Sequence, residues 1–161
     1  MPIAHYALVT SKNSNRNYPK ILIHGLGSCI VLILFDQINN VSGISHILLP
    51  ELSPEKKNTN IFPHKYADLS VKLLIKEMLD KGASKKNIYA VIIGGSTIFN
   101  TPILSIGEKN IQMVKKQLLD LKINVLKEEV GGSKGRSIIF NPNNYSILVK
   151  NSGEKSFNQI N

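Results

Sequence analysis

Cysteine is nearly absent from this sequence, since Cys29 is the only one among 161 residues. A single cysteine excludes a disulfide within the chain, which is typical of a reducing compartment, and we expect a cytoplasmic location. Long apolar runs are also lacking, and none approaches the roughly 18 residues that a membrane-spanning helix requires. The first residues show no basic segment followed by a long apolar stretch. The sequence therefore predicts a chain without membrane insertion.

Acidic residues are scarce as well, whereas lysine is abundant. The 20 lysine and arginine side chains outnumber the 11 carboxylates, which gives a net charge of +9. The lysines occur singly or in pairs, and aromatic residues are not interleaved with them as a surface for nucleic acid would require. We therefore expect no nucleic-acid partner. Attraction to an acidic protein partner and a lysine-rich surface without a specific role both remain open.

The stretch that begins at Cys29 predicts a β-hairpin. Residues 30–35 form an apolar run typical of a buried strand, residues 36–42 are polar enough to turn the chain, and residues 43–49 are apolar again. Antiparallel pairing about this turn places Cys29 and His46 near the same end, because both lie at similar distances from the turn. We therefore expect the thiol and the imidazole to lie close together.

Such a pair favours acyl chemistry. A thiol becomes a strong nucleophile when a nearby imidazole accepts its proton. Gly25, Gly27 and Ser28 allow a substrate carbonyl to approach the backbone, whose amides could donate to the oxyanion of a tetrahedral intermediate. The spacing alone leaves an alternative open, in which Cys29 is a small buried apolar side chain and His46 a hydrogen-bonded core residue.

Two helices and several further strands are predicted from periodicity. Residues 66–81 carry apolar side chains at helical spacing and end at Gly82, and the Ser-x-x-Glu capping box of Ser105 and Glu108 begins a second helix. Further strands are predicted at 2–10, 21–23, 87–95, 123–130, 136–140 and 145–149. The polar residues 10–17 and 51–63 are predicted to be exposed loops, the second beside the candidate site. Residues 1–150 are expected to form one domain and 151–161 a frayed polar tail.

Two other features of the sequence do not predict a binding site. Residues 131–135, Gly-Gly-Ser-Lys-Gly, lack the spacing of a phosphate-binding loop and are flanked by predicted strands, so they indicate a strand connection. The histidines have neither carboxylates nor a second histidine at helical spacing beside them, so we expect no metal site. They are His5, His24, His46 and His64.

Six segments in this order resemble the CheD family of chemoreceptor glutamine deamidases. They are Gly25-Leu-Gly-Ser-Cys-Ile30, Ser45-His-Ile-Leu-Leu-Pro50, Lys65-Tyr-Ala-Asp68, Ile93-Gly-Gly95, Ile106-Gly-Glu108 and Val130-Gly-Gly with Gly135-Arg136. The resemblance implies an α/β fold of the α+β type, with one domain of two helices packed on layered, largely antiparallel β-structure. It also implies an enzyme that converts selected glutamine side chains of methyl-accepting chemotaxis receptors to glutamate, and in some members hydrolyses glutamyl methyl esters. No cofactor is implied. The receptor's cytoplasmic domain is the expected substrate and a CheC-type phosphatase a further partner, and we expect a monomer.

The resemblance assigns the nucleophile to Cys29 and the base to His46, with backbone amides around Ser28 and Cys29 holding the oxyanion. Ile23 stands where the family has a threonine that assists this pair. Isoleucine forms no hydrogen bond, so we expect a backbone carbonyl, a water, Ser45 or Ser96 to orient His46. The neighbouring His24 should point to the opposite face of its strand. An alternative therefore remains, in which the chain is a weakly active or inactive binding partner of a CheC-type phosphatase.

Overall fold

The computed structural model describes residues 1–10, 17–56, 61–97 and 105–161. Within these residues the chain forms nine strands and two α-helices. The strands are β1 (Tyr6–Thr10), β2 (Ile21–Leu26), β3 (Ile30–Asp36), β4 (Val41–Ile47), β5 (Tyr89–Gly94), β6 (Asn124–Val130), β7 (Arg136–Phe140), β8 (Ile147–Asn151) and β9 (Asn158–Gln159). The helices are α1 (Ala67–Asp80) and α2 (Ile106–Asp120). Neither is long and apolar enough to cross a membrane.

The strands form two sheets that pack in three layers with the helices. The first sheet has the order β1-β4-β3-β5-β6 and the second the order β2-β7-β8-β9. All neighbouring pairs are antiparallel except β5 and β6, which are parallel. The predicted fold class, two helices on layered and largely antiparallel β-structure, is confirmed.

Strand β3 supplies side chains to both cores, which explains its continuous apolar sequence. Leu32 and Leu34 pack against the helices, whereas Val31 and Ile33 pack against the second sheet. All four side chains are fully buried. Both faces of the first sheet are therefore covered. Because side chains alternate along β3, even-numbered residues pack in the core with the helices and odd-numbered residues pack in the core between the sheets.

The two predicted capping signals, at the start of α2 and at the end of α1, are both present in the structure. The Oγ of Ser105 accepts a hydrogen bond from the Glu108 N–H at 3.2 Å, which satisfies a free amide in the first turn of α2. Helix α1 ends at Asp80 with Lys81 as its C-cap, and Gly82 then adopts the positive φ of +98° that follows a helix C-terminus.

Two short connections carry the chain between the sheets. Residues 27–29 lead from β2 in the second sheet to β3 in the first, and residues 131–135 lead from β6 in the first sheet to β7 in the second. The prediction that the glycine-rich residues 131–135 connect two strands is confirmed. Cys29 therefore lies where the chain crosses from one sheet to the other.

The predicted fraying of the C-terminal tail is wrong. Strand β9 pairs with β8, and the side chain of Asn161 accepts from the N–H of Ile147 at 2.8 Å and donates to the carbonyl of Tyr145 at 2.7 Å. The side chain of Asn161 thus bonds to backbone groups at residues 145 and 147, as a neighbouring strand would. The polar composition of this tail therefore does not prevent it from pairing. Strand β8 also begins later than predicted, because Tyr145 has a φ of +62° and cannot continue a strand.

The two predicted loops fall partly outside the described residues. This applies to residues 11–16 of the first and 57–60 of the second. The described ends of the second loop contain two single-turn 3₁₀ helices, Pro54–Lys56 and Pro63–Lys65. The second of these places His64 beneath β1 and beside α1.

A buried polar cluster surrounds His64 on the helical side of the first sheet. Its Nδ1 lies 3.1 Å from the Oγ of Ser70, which is 2.7 Å from the Oγ of Ser45. The imidazole stacks on the ring of Tyr6 with 3.9 Å between centroids. Burial lowers the pKa of His64 from its ordinary value of 6.5 to about 4.

We expect the free energy of unfolding to fall as the pH is lowered from 6.5 to about 4, because the unfolded chain protonates His64 over this range and the folded protein does not. The loss should reach about 3 kcal/mol. Burial also lowers the pKa of His46, which adds a loss of the same sign. Urea unfolding over a pH series measures this loss of free energy of unfolding. His64→Gln should make the free energy of unfolding depend less on pH. The control His24→Gln removes an exposed histidine and should leave this dependence unchanged. Equal pH dependence in the two variants would contradict the assignment of the effect to His64.

Candidate active site

The β3–β4 hairpin places Cys29 and His46 at the same end and on the same face. Val31 pairs with His46 across the two strands, and Cys29 precedes Val31 by two positions on the same side. Cross-strand partners share a face, as do alternate residues of one strand. Cys29 and Val31 both pack in the core between the sheets. The predicted hairpin is therefore present, and it carries Cys29 and His46 on one face at the same end.

Hydrogen bonds on the other edge of β4 fix the position of His46. Its N–H donates to the carbonyl of His5 at 2.9 Å, and its carbonyl accepts from the N–H of Ala4 at 2.8 Å. The backbone of His46 is thus held between β3 on one side and the residues before β1 on the other. The backbone that carries the imidazole is therefore held in place at the end of the hairpin.

Burial keeps both side chains uncharged at neutral pH. Cys29 is 7% exposed and His46 is 4% exposed. Removal from water raises the pKa of the Cys29 thiol and lowers the pKa of the His46 imidazole. The resting pair is therefore a thiol and a neutral imidazole, and the imidazole has a nitrogen available to take a proton.

The hydrogen bonding of His46 indicates which nitrogen that is. Nδ1 lies 3.4 Å from the carbonyl oxygen of Met1, at the long end for a hydrogen bond. Nε2 is buried and has no hydrogen-bond partner among the described residues. If Nδ1 carries the proton toward Met1, Nε2 is the free acceptor.

The structure distinguishes between the protein groups that were candidates for orienting His46. Ser45 faces the helices, where its hydroxyl bonds to that of Ser70, so it lies on the opposite face of the sheet from His46. The hydroxyl of Ser96 donates to the carbonyl of Lys134 and accepts from Arg136 Nη1, both at 2.7 Å. Of the protein groups considered, a backbone carbonyl is the one that lies within hydrogen-bond distance of the His46 ring. It belongs to Met1, as described above.

Ile23, at the position of the family threonine, is part of the core between the sheets. It is 1% exposed and pairs with Ile138 of β7. His24 points the other way and is exposed, with its Nδ1 3.2 Å from the Oγ of Ser137. The expectation that His24 points to the opposite face of β2 from Ile23 is confirmed, as for neighbouring residues of a strand.

Three consecutive carbonyls before and at the cysteine accept hydrogen bonds. The carbonyl of Gly27 accepts from the Ser96 N–H at 2.9 Å, and that of Cys29 accepts from the Gly95 N–H at 2.8 Å. The carbonyl of Ser28 accepts from the side chain of Asn110 at 2.9 Å. In a trans peptide the N–H points opposite to the C=O. The N–H groups of Ser28 and Cys29 are therefore directed away from the donors that hold the carbonyls of Gly27 and Ser28.

Two polar residues near the turn before Cys29, Asn110 and Arg136, are not predicted as site residues from the sequence. Asn110 is fully buried on α2, one helical turn before Val114 and two before Leu118 on the apolar side of the helix. A polar residue within such an apolar stripe is a signal that could have been noticed. Arg136 was noted only as part of the family resemblance, whereas its guanidinium holds the hydroxyl of Ser96.

The fold and the site define a class of protein. It is an α+β domain of two sheets and two helices, in which a buried cysteine and a histidine share one end of a hairpin at a crossing between the sheets. A family model described as CheD chemotactic sensory transduction matches residues 48–151 of the chain. Together with the relatives described next, this match shows that the chain belongs to the CheD family.

Two relatives come from Clostridium botulinum, and both are named probable chemoreceptor glutamine deamidase CheD. The protein of strain Eklund 17B is 41% identical over 152 residues, which cover 92% of this chain and 89% of that protein. The protein of strain Hall is 38% identical over 149 residues, with 90% and 91% covered. Matches of this extent include the segment with Cys29 and His46, which precedes the residues matched by the family model. The resemblance stated from the sequence is confirmed.

Proposed function

We propose that this chain deamidates selected glutamine side chains of chemoreceptors, with Cys29 as the nucleophile and His46 as the general base. The observation that carries the proposal is the placement of these two side chains on one face at the same end of the β3–β4 hairpin, in a chain of the CheD family. The names of both relatives support the same activity.

In the first half of the reaction, Cys29 Sγ attacks the carbon of the glutamine carboxamide while His46 Nε2 takes the thiol proton. The carbonyl oxygen becomes an oxyanion and accepts hydrogen bonds from the backbone amides of Ser28 and Cys29. The tetrahedral intermediate then collapses, the C–N bond breaks, and His46 gives its proton to the departing nitrogen. Ammonia leaves and a thioester to Cys29 remains.

In the second half, a water molecule attacks the thioester carbon while His46 Nε2 takes a proton from it. The second tetrahedral intermediate uses the same backbone amides. Its collapse breaks the C–S bond, and the thiol of Cys29 recovers its proton from His46. The product is a glutamate side chain, and a glutamyl methyl ester would follow the same path with methanol as the leaving group.

In the resting site His46 is a neutral imidazole and Cys29 a protonated thiol. Because burial lowers the pKa of His46, the imidazole stays unprotonated at neutral pH and can act as a base. Because burial raises the pKa of Cys29, the thiol keeps its proton until a substrate is in place. Proton transfer then accompanies attack and does not precede it.

A binding role without turnover is the second candidate, and Ile23 favours it. The family threonine is replaced by a fully buried isoleucine, so no side chain at this position supports the cysteine and histidine. Under this alternative the surface around Gly25 and Gly27 serves recognition by a receptor or a CheC-type phosphatase. The net charge of +9 favours approach to an acidic partner in either case.

Incubating the protein with the cytoplasmic fragment of a cognate receptor in heavy-oxygen water tests the proposal. We expect release of ammonia and, by mass spectrometry of receptor peptides, the mass increase of an amide replaced by a labelled carboxylate at individual glutamines. The same fragment without the protein gives the rate of spontaneous deamidation. A folded protein that binds the receptor or a CheC-type phosphatase and changes no glutamine would instead support the binding role.

A further inference from the structure

The side chain of Asn110 joins the turn that carries Cys29 to the strand that carries His46. Its Nδ2 donates to the carbonyl of Ser28 at 2.9 Å and to the carbonyl of Leu48 at 3.0 Å. Both hydrogens of one amide group are thus used. Ser28 precedes Cys29 directly, and Leu48 follows His46 by two positions.

The two strands need such a bridge because their own pairing stops at this point. The β3–β4 ladder ends with the pair Ile30 and Ile47. Beyond it, the N–H of Leu48 turns away and donates to the carbonyl of Lys65 at 3.0 Å. Asn110 stands in the gap where the strands separate, and it supplies the hydrogen bonds that a further pair of the ladder would otherwise make.

Close packing of α2 on the end of β5 brings Asn110 to this position. A Cβ added at Gly107 would lie 2.5 Å from the carbonyl oxygen of Gly95, and one added at Gly95 would lie 2.5 Å from Ile111 Cγ1. The helix therefore approaches β5 more closely than side chains would permit. The same end of β5 holds the carbonyls of Gly27 and Cys29, so strand and helix form one frame around the turn.

Asn110 is costly as a purely structural residue. Its side chain is fully buried, and its Oδ1 has no hydrogen-bond partner among the described residues. Burying an unpaired polar atom lowers stability, and a leucine of similar size would leave no such atom on the helix. The amide does, however, contact two backbone carbonyls beside the proposed reacting groups, which indicates a role in holding those groups in place.

We propose that Asn110 is a positioning residue that fixes the distance and direction between the Cys29 thiol and the His46 imidazole. This inference rests on the proposed function, in which those two groups exchange a proton. The Nδ2 hydrogen bonds hold the cysteine turn and the end of β4 in one geometry. Without them the turn can move relative to His46 while the rest of the fold keeps its packing.

Alkylation of Cys29 by iodoacetamide across a pH series tests the inference without any receptor. In the wild-type protein His46 should assist the reaction near neutral pH, so that His46→Gln slows it and shifts its profile toward higher pH. Asn110→Leu should slow it roughly tenfold or more near neutral pH, with the same shift in profile. In the Asn110→Leu background, a further His46→Gln should then change the rate by less than about twofold, because the coupling is already lost.

The matched control is Gln117→Leu on the same helix. Gln117 is 7% exposed, and the hydrogen bond that its Nε2 makes is to Met113 Sδ at 3.7 Å, away from the turn. This variant should keep the wild-type alkylation profile. On a receptor substrate, Asn110→Leu should lower kcat about 10²-fold with little change in KM, the mark of lost alignment.

A folded Asn110→Leu with the wild-type alkylation profile would overturn the inference and leave Asn110 a structural residue. If Asn110→Leu does not fold, Asn110→Ser, which shortens the side chain without adding bulk, takes its place with the same expected loss. If no receptor is deamidated by the wild-type protein, the proposed function fails, and the alkylation comparison still decides whether Asn110 couples Cys29 to His46.

Discussion

Cys29→Ala should release no measurable ammonia from a receptor fragment that the wild-type protein deamidates. In the proposed mechanism this sulfur forms the thioester, and no other described side chain at this end of the hairpin offers a comparable nucleophile, so the rate should fall by at least about three orders of magnitude. Ammonia release and peptide mass spectrometry measure the loss. Activity in Cys29→Ala at the wild-type rate would remove Cys29 from the mechanism.

The fold should survive this change, which makes the result interpretable. Cys29 is a small side chain at the edge of the core between the sheets, and removal of its sulfur should cost about 1 kcal/mol. For a chain of this size that lowers Tm by roughly 2–4 °C. Cys29→Ser is the second control, because its hydroxyl keeps the size of the side chain but ionises far less readily, and it should be nearly as inactive.

Gly94→Ala should damage both stability and activity, although Gly94 bears no reacting group. A Cβ at this position would overlap the carbonyl oxygen of Cys29 and lie 2.9 Å from Leu26 Cδ2, and the φ of +115° is itself unfavourable for alanine. Relief of the overlap requires the cysteine turn to move. We expect a loss of about 3 kcal/mol and a drop in kcat of about 10²-fold.

Gly153→Ala separates backbone strain from the overlap with Cys29. Its φ is +91°, and a Cβ there meets no heavy atom within 4 Å. This variant should lose only about 1 kcal/mol from strain and keep its activity. Thermal unfolding and the deamidation rate of both variants make the comparison. Equal losses of activity in the two would mean that the contact with Cys29 is irrelevant.

Local sequence patterns predicted the hairpin and the helices because the interactions that form them are local. The apolar residues 30–35 require burial on both faces, and the polar residues after them require a turn, so the pairing that brings Cys29 and His46 together needs little other information. The hydroxyl of Ser105 likewise caps α2 through an amide three residues away. Such short-range contacts can be recognised from spacing.

The hydrogen bonds that hold the turn around Cys29 could not be predicted in this way, because they join residues that are distant in sequence. Asn110 bonds to carbonyls of residues 28 and 48, and backbone carbonyls leave no mark in the sequence of side chains. Strands β2 and β3 are separated by three residues yet belong to different sheets. Nothing in residues 21–36 specifies that β2 pairs with β7, since this choice depends on the core that both sheets share.

The residues that hydrogen-bond to the turn around Cys29 are synthesised after Cys29 itself. The β3–β4 hairpin ends at Ile47 and leaves the ribosome with its thiol and imidazole while Gly95, Ser96 and Asn110 are not yet translated. Strand β2, which leads into the cysteine turn, waits still longer for its partner β7. Contacts between distant parts of a chain form late. The nascent chain therefore carries the proposed nucleophile and base well before their geometry is fixed, and the residues that fix it arrive only with the second half of the protein.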